Sequence, residues 1–327
     1  MNFGFVILHY RAYEMTVRCV SSILKLFSSN NLHIAIVDNA SPNGSGKRLQ
    51  EHFSNESQVE VLLNHENLGF ARGNNAGYDF LIQHYDLDFV IVMNNDVIIE
   101  QSDFLQKIAE KYQDTPFSVL GPDTYSTSRK VHQNPFSLSV ISEEELTLKA
   151  QYYHEIMEHP GFMYLEESLR YFFINIKPVY SFVHALSNLA RRILGKYSAE
   201  DEMQKKAERE HQEQLKTLGQ KYREDVVLFG ACYIFSRDFI RKRPYCFYPD
   251  TFMYFEEQIL GYECQRDHLK VVYDPALQVL HFEDVSTRQS LKTGYQRFLF
   301  KSREMEKSCN LLLSLMRKDK EAIPPHS

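Results

Sequence analysis

The first hundred residues alternate short apolar runs with segments in which apolar side chains recur at helical spacing. Runs with the length and composition of buried strands cover residues 3–8, 33–37, 59–63 and 89–93. Helical patterns lie between them, near residues 13–27, 45–53 and 71–84. Alternation of this kind is typical of a mostly parallel sheet with helices on both faces. The pattern therefore predicts an α/β fold in three layers, α/β/α.

The pattern changes after about residue 140 to long helical stretches, and strands and helices resume at residue 226. The later strand and helix patterns cover 226–236, 256–267, 270–273, 277–280 and 293–316. We divide the chain accordingly into four parts: an α/β half at 1–140, a helical insertion at 141–225, a second half of the same domain at 226–290, and a C-terminal helical segment at 291–327.

Part of the insertion has an apolar helical face over residues 182–194. Basic residues lie in or near it, at Arg170, Lys177, Arg191, Arg192 and Lys196. That composition suits a membrane surface. An amphipathic helix more commonly packs on its own domain or on a second subunit, which would make a homodimer. The sequence leaves these interpretations open.

The composition narrows the class of protein. With 43% hydrophobic and 24% charged residues among 327, the chain has the make-up of a soluble globular protein. A formal net charge of −6 argues against nucleic acid as a partner, because phosphate contacts need a concentrated basic surface. The five cysteines form no CxxC pair, and no apolar run reaches the roughly 20 residues of a membrane span. We therefore expect a cytoplasmic protein, peripheral on the inner face of the cell membrane if the insertion binds lipid.

Polar side chains follow the predicted strands where the strands end. His9 and Tyr10 follow the first strand, Asp38 ends the second, and Asn95 and Asp96 follow the fourth. Ligands of open α/β sheets bind at the carboxyl ends of strands, so these side chains are expected to line one crevice. A carboxylate there can hold Mg²⁺ or Mn²⁺, or accept hydrogen bonds from a base or ribose. The alternative for both acids is turn or helix-cap chemistry.

A further polar segment, NLGFARGNN, runs from Asn67 to Asn75. It places glycines, amides and one arginine at the start of a predicted helix, and helix N-termini attract anions. Arg72 has the reach to contact a phosphate or a nucleobase.

Taken together, these motifs resemble the family-two glycosyltransferases of the GT-A fold, in the rhamnosyltransferase-like branch that builds bacterial capsule, cell-wall and other surface polysaccharides. Six residues match the family pattern in order: Asp38, Asn67, Gly69, Arg72, Asn74 and Asp96. Later segments also resemble the family: Phe229-Gly230-Ala231-Cys232, the block from Phe252 to Glu257, and His281 with Ser286 five residues on. The resemblance covers most of the chain outside the insertion and implies a Rossmann-like GT-A sandwich with a helical insertion.

The resemblance implies a role for each matching position. Residues 1–140 would bind a nucleotide sugar, and residues 226–290 would bind the acceptor and carry the catalytic base. The implied donor-binding residues are His9, Tyr10, Asp38, Asn67, Gly69, Arg72, Asn74 and Asn95. Asp96 and His281 would hold a divalent metal ion, Mg²⁺ or Mn²⁺, and Gly230 and Ala231 would line the acceptor site. A core histidine bound by hydrogen bonds is the alternative for His281.

The implied catalytic base is Glu257, where the family usually has aspartate, and Glu256 is the competing candidate. Either carboxylate can serve as a general base. Both acids also suit a helix N-terminus through its dipole, which is a purely structural alternative. Arg11 is a second departure, because the family usually has asparagine there.

The function implied by the resemblance is transfer of a hexosyl or deoxyhexosyl group, with inversion, from a UDP- or dTDP-linked sugar to a saccharide hydroxyl. A polyprenyl diphosphate-linked acceptor would explain the basic, amphipathic insertion. The alternatives are a noncatalytic nucleotide-sugar binding or scaffold protein, a membrane-surface protein and a nucleotidyltransferase. The glycine-rich signature with a basic residue near the first strand, usual in nucleotidyltransferases, is absent from the sequence.

Overall fold

The computed structural model describes residues 1–27, 31–165, 221–283 and 293–322. The chain forms two compact units, Met1–Ile141 with Leu215–Ser290, and Ser142–Gln214 with Leu291–Ser327. The predicted apolar face at 182–194 and its basic residues lie outside the described residues, as does Ser286.

Ten strands of the described part of the first unit form one sheet. They are β1 (Phe3–His9), β2 (Leu32–Asp38), β3 (Val59–Leu63), β4 (Phe89–Asn94), β5 (Val97–Ile98), β6 (Val119–Ser126), β7 (Val131–His132), β8 (Arg223–Glu224), β9 (Cys232–Ser236) and β10 (Val271–His281). Their order is β3-β2-β1-β4-β9-β6-β10-β5, with β7 beside β6 and β8 beside β10.

The sheet is mixed in direction. Strands β1 to β4 are parallel, as the alternation of strand and helix predicts. Strand β9 reverses the direction, because it pairs antiparallel with β4 on one side and β6 on the other. The parallel part brings the strand ends together, since the register places His9 beside Asp38 and Leu8 beside Asn94.

Helices cover both faces of the sheet. Those of the first unit are α1 (Tyr13–Leu26), α2 (Ser45–His52), α3 (Gly69–His84), α4 (Phe104–Asp114), α6 (Arg237–Lys242) and α7 (Glu256–Arg266); the second unit contains α5 (Glu143–Glu158) and α8 (Gly294–Ala322). Alternate residues of β1 enter different cores, because successive strand side chains point to opposite faces. Ile7 packs in the core that contains Ile23 of α1, and Val6 packs in the core that contains Leu81 of α3. The predicted α/β class with a central sheet between helices is thus confirmed.

The described part of the second unit is helical. A capping box between Ser142 and Glu145 begins α5, and this exchange satisfies two free backbone N–H groups. Glu143 at the start of α5 pairs with Arg317 near the end of α8, at 3.3 Å. The rings of Tyr164 and Tyr295 lie 5.1 Å apart near the other ends, so the two helices run antiparallel. None of the described helices has both the length and the apolarity of a membrane span.

Three of the predicted strands differ in the structure. The predicted runs at 270–273 and 277–280 form a single strand, β10, whose register shifts between Asp274 and Gln278. The predicted strand at 226–236 is shortened to β9, because Val227 instead makes an isolated bridge to Ser137. Residues 229–231 are therefore free of the strand and belong to the candidate site.

Candidate active site

His9 and Asn95 join one buried polar network at the ends of β1 and β4. The His9 ring nitrogens lie 2.7 Å from the hydroxyls of Thr16 and Ser45. Asn95 donates to the same Thr16 hydroxyl at 2.9 Å. Burial lowers the pKa of His9 to about 4, so the ring is neutral near pH 7. These two predicted donor-binding residues thus support one another through Thr16.

Asp38 lies beside this network with a weakly engaged carboxylate. The N–H of Ser41 donates to it at 3.3 Å from both carboxylate oxygens. Burial raises the pKa of Asp38, and the hydrogen bonds from Ser41 oppose that rise. His9 Nε2 lies 3.8 Å away, but the neutral ring contributes no ion pair. The carboxylate therefore keeps acceptor capacity for a ligand. Tyr10, the next residue in the chain after His9, is half-buried.

Asn39 connects the end of β2 to the start of α3. Its amide donates to Asn67 Oδ1 and to the Gly69 carbonyl, both at 2.9 Å. Its own oxygen accepts from the Leu68 N–H at 2.9 Å and from Asn64 at 3.1 Å. Asn39 directly follows Asp38 in the sequence, but its role as a hub depends on partners at least 25 residues away in the chain. It was therefore not identified as a site residue.

Asn67 and Asn74 engage their polar groups within the protein. Asn67 Oδ1 also accepts from the Gly69 N–H at 3.0 Å, which shapes the turn into α3. Asn74 is 1% exposed and donates to the Phe70 carbonyl at 3.0 Å. The geometry thus gives both residues a part in holding the NLGFARGNN segment.

The start of α3 docks against the loop that precedes α7. Gly69 has a φ of +79°, and a Cβ there would lie 2.2 Å from the Phe252 carbonyl oxygen. The N–H of Phe70 donates to that same oxygen at 2.6 Å. Arg72 donates to the Pro249 carbonyl at 2.7 Å and pairs with Asp250 at 3.1 Å. Arg72 is thus placed on this loop, whereas the network of His9 and Asn95 lies at the strand ends.

Asp96 and His281 face each other between β5 and the end of β10. Asp96 is 7% exposed, and its Oδ1 accepts no hydrogen bond from any residue that the structure describes. His281 Nε2 lies 3.3 Å from that atom. His281 Nδ1 lies 2.8 Å from Gln133 Oε1, an acceptor, so Nδ1 carries a proton, and in the neutral ring the lone pair is then on Nε2. Two potential metal-ligating atoms therefore lie close together without a hydrogen bond between them.

This arrangement fits a divalent metal ion. Ligands at about 2.1 Å in adjacent octahedral positions lie about 3 Å apart, close to the separation seen here. Among the described residues, no group of three or more His, Cys, Asp or Glu side chains could hold a metal ion. Asp96 and His281 would therefore supply two ligands, and Mg²⁺ or Mn²⁺ characteristically completes its shell with phosphate and water oxygens.

Two neighbouring acids open α7 in different surroundings. Glu256 is 7% exposed, and its Oε1 has no hydrogen-bond partner in the described part of the chain. Burial, reinforced by the charge of Glu257, raises the pKa of Glu256 to about 8. Glu257 is half-buried. Burial raises its pKa as well, but the backbone N–H groups of Glu257 itself and of Gly230 oppose the rise. Glu257 is thus the more accessible acid and the better stabilised anion.

The backbone before these acids is strained. Tyr254 and Phe255 have φ values of 74° and 75°, a region that residues with a side chain rarely adopt. Such strain is found where the surrounding structure fixes a functional geometry. Here it sets the direction in which α7 begins and thereby the placement of Glu256 and Glu257.

Residues 229–231 bring the metal pair and the acids together. The Phe229 ring lies 5.8 Å from the His281 ring. A Cβ at Gly230 would lie 2.6 Å from Glu257 Oε1, so a side chain at this position would displace the Glu257 carboxylate. The Ala231 carbonyl accepts from the Asn94 N–H at 2.9 Å, two residues before Asp96. The structure therefore collects the predicted metal, acceptor and catalytic residues around one short segment.

Two residues of the loop His132-Gln133-Asn134-Pro135 support this segment and were not identified as site residues. Gln133 contacts His281, as described above. Asn134 accepts from the Phe229 N–H at 3.1 Å and donates to the Pro122 carbonyl at 2.8 Å. The polar loop is visible in the sequence, but its partners Phe229 and His281 lie about a hundred residues or more along the chain.

Comparison with known proteins places these features in a family. Three solved structures of S. aureus TarS are similar at 18% identity: the protein itself, its residues 1–349, and residues 1–349 in complex with UDP-GlcNAc. The matches cover 39%, 43% and 45% of this chain and 22%, 42% and 42% of the TarS chains, with TM-scores of 0.34, 0.36 and 0.36. The chain thus spans less than half of the TarS structures, and no curated protein sequence matches it significantly. The model of the family Glycosyl transferase family 2 matches residues 5–173, more than half of the 327 residues. The chain belongs to glycosyl transferase family 2.

Proposed function

We propose that the protein is a metal-dependent, inverting glycosyltransferase that moves a hexosyl or deoxyhexosyl group from a UDP- or dTDP-linked sugar to a saccharide hydroxyl. The observation that carries the proposal is the pair Asp96 Oδ1 and His281 Nε2, two electron-pair donors 3.3 Å apart in a family of glycosyltransferases. A divalent cation beside this pair would be bound by both atoms, and it would also stabilise the departing diphosphate.

The donor half of the site would hold the nucleotide. Asp38 keeps acceptor capacity for a ribose hydroxyl or a base N–H, and Tyr10 follows His9, which the register places beside Asp38. The Asn39 hub fixes the start of α3, where Gly69 and Arg72 lie. Asp96 and His281 would hold the ion, and when bound it supplies positive charge to the departing diphosphate.

The acceptor half would supply the base. Glu257 removes the proton from the acceptor hydroxyl, and the hydroxyl oxygen forms a bond to the anomeric carbon on the face opposite the diphosphate. The bond from that carbon to the diphosphate oxygen breaks, and the nucleoside diphosphate leaves with the electron pair. One displacement of this kind inverts the configuration. Gly230 holds the Glu257 carboxylate through its N–H, and the neutral acid of Glu256 avoids a second buried charge beside it.

The acceptor is proposed to be a saccharide linked to polyprenyl diphosphate, handled at the inner face of the cell membrane by a cytoplasmic protein. Gly230 and Ala231 would form part of its site. A membrane surface or a second copy of the chain would contact the insertion. The support for this part is the basic, amphipathic sequence around 170–196 and the family resemblance.

A donor-turnover assay tests the proposed function. The wild-type protein is incubated with UDP-linked and dTDP-linked hexoses and deoxyhexoses, with Mn²⁺, Mg²⁺ or a chelator, and release of nucleoside diphosphate is measured. We expect release from one nucleotide class only when metal is present. Proton NMR of the first sugar product should show the anomeric configuration opposite to that of the donor. Release that survives the chelator, or a product with retained configuration, would contradict the proposal.

A further inference from the structure

A chain of hydrogen bonds leads away from the buried side of His281. Gln133 Oε1 lies 2.8 Å from His281 Nδ1, and Gln133 Nε2 donates to Glu283 Oε1 at 2.7 Å. Glu283 also receives the Ser128 hydroxyl at 2.5 Å and Arg129 Nε at 2.8 and 3.0 Å. The Glu283 carboxylate thus gathers donors from three residues, and its side chain is only 10% exposed.

The chemistry of these groups fixes the proton positions. A carboxylate that receives a guanidinium and a hydroxyl acts as an acceptor, so the Gln133 NH₂ group must face Glu283. The Gln133 carbonyl oxygen then faces His281, and only a protonated Nδ1 can bond to it. A neutral imidazole protonated on Nδ1 has its lone pair on Nε2. Nε2 lies 3.3 Å from Asp96 Oδ1, and the two atoms make no hydrogen bond.

The backbone around this chain is fixed as well. The Thr127 N–H and hydroxyl both donate to the His281 carbonyl, at 2.9 and 3.3 Å. The turn is closed by the Arg129 N–H, which donates to the Ser126 hydroxyl at 3.0 Å. Glu283 has a φ of 56°, a conformation that costs energy for a residue with a side chain. The turn at 126–129 therefore holds both ends of the chain, the His281 backbone and the Glu283 carboxylate.

We infer that Gln133, oriented by Glu283, is a positioning residue that holds His281 in the one tautomer able to bind a metal ion beside Asp96. The inference deepens the proposed function and rests on its metal site. Gln133 contacts neither the ion nor the substrate in this account. It acts through His281, and partners of this type typically change metal affinity about 10–100-fold when they are lost.

The test compares Gln133→Met with Gln101→Met. Gln101 is a matched control because it is also half-buried and also bonds to residues of β10: its amide donates to the Ala276 carbonyl and accepts from the Gln278 N–H. Mn²⁺ binding is measured from the free-ion signal in electron paramagnetic resonance, with and without UDP. The tautomer of His281 is read in metal-free protein labelled with ¹⁵N-histidine, with its signal assigned by loss in His281→Gln.

We expect wild-type protein and Gln101→Met to show a protonated Nδ1, an unprotonated Nε2 and the same Mn²⁺ affinity. Gln133→Met should populate the other tautomer and bind Mn²⁺ about 10–100-fold more weakly. Glu283→Gln should shift both readouts in the same direction by less, because an amide at 283 lets the Gln133 amide turn over. If Gln133→Met does not fold, the Glu283→Gln variant alone tests the inference.

The two possible failures are distinguishable. If wild-type protein binds Mn²⁺ and the Gln133 and Glu283 variants keep its affinity and its tautomer, the inference is wrong and the proposed function stands. If wild-type protein binds no Mn²⁺ with or without UDP, the proposed metal site fails and the inference fails with it.

Discussion

Glu256 and Glu257 are adjacent in the chain, yet their surroundings differ in ways that matter for proton transfer. Glu257 is half-buried and receives the Gly230 N–H, whereas Glu256 is buried and leaves one oxygen without a partner among the described residues. A general base must be reachable by the acceptor and must be ionised when the acceptor arrives. Glu257 meets both conditions better.

Replacing each acid separately tests this assignment. Glu257→Gln should lower turnover by at least about 10²-fold with donor binding unchanged, because general-base catalysis contributes at least that much. Glu256→Gln should retain most of the turnover, since glutamine resembles the neutral acid already present. Donor turnover and donor affinity are measured for both variants. A large loss of turnover in Glu256→Gln alone would move the base to Glu256.

The raised pKa of Glu256 predicts a dependence of stability on pH. The pKa is about 8 in the folded protein against an ordinary value of 4.5. Between these values the folded state holds a proton that the unfolded chain releases, so this group makes the protein less stable as pH rises. Glu256→Gln removes the titration. Its melting temperature should match the wild type near pH 5 and exceed it by a widening margin toward pH 8.

The control for this measurement is Glu66→Gln, which changes an exposed acid. Its melting curve should stay at a constant offset from the wild type over the same pH range. If Glu256→Gln also shows a constant offset, Glu256 titrates at its ordinary pKa in the folded protein.

The candidate site residues that the sequence indicates differ in kind from those it does not. Asp96, His281 and Glu257 follow apolar strands or open a helix within recognisable motifs, and the structure places all three around residues 229–231. Gln133 and Asn39 are ordinary amides in polar loops. Their importance comes from the partners that the fold brings to them, and no local pattern encodes those partners.

At the scale of elements, the start of α3 and the loop before α7 are fastened to each other. The Phe70 N–H donates to the Phe252 carbonyl oxygen at 2.6 Å, and at position 69 there is no room for a side chain against that oxygen. The donor motif and the acid-bearing helix therefore cannot shift independently without breaking this contact.

The glycines at 69 and 44 allow the contact to be tested separately from backbone strain. Both have positive φ, +79° and +71°, but a Cβ at Gly44 meets nothing within 4 Å. Gly44→Ala should cost only the backbone strain, about 1–2 kcal/mol. Gly69→Ala should destabilise the protein by about 1–3 kcal/mol more, because the Phe252 carbonyl must move. Thermal unfolding of the two variants measures the difference.

Donor turnover in the same two variants reports on the link itself. We expect Gly69→Ala to lose turnover and Gly44→Ala to keep it after correction for stability. Equal stability and equal turnover in both variants would show that the contact at Phe252 plays no part in the site.

The elements with the strongest periodicity were predicted well. Predicted strands at 3–8 and 59–63 correspond to β1 (Phe3–His9) and β3 (Val59–Leu63), and the predicted helix near 71–84 corresponds to α3 (Gly69–His84). Helices α4 and α6 were missed, and the reversed direction of β9 could not be predicted. Hydrophobic spacing indicates that a strand is buried, but strand direction is decided by the connections and by neighbouring strands.

At the scale of the whole molecule, the first unit gathers chemistry from both halves of the sequence on one sheet. Asp96 follows the parallel part of the sheet. His281 comes from the last strand, 185 residues later in the chain. The separation explains why the sequence indicates two motifs but not their distance. Parallel strand ends could be expected to meet, whereas the pairing of β10 with β5 follows from the folded topology.

The measurement that tests the central claim most directly is a binding panel on the whole protein. Melting temperatures are recorded for the wild type and Asp96→Ala with nucleoside diphosphates and their sugars, each with Mn²⁺, Mg²⁺ or chelator. Asp238→Ala is the control. It removes a different aspartate, which lies at the start of α6 and accepts a hydrogen bond from Tyr112. The account predicts stabilisation of the wild type and the control by one nucleotide class only with metal, and loss of this effect in Asp96→Ala. Stabilisation that is independent of metal, or equal in Asp96→Ala, would contradict it.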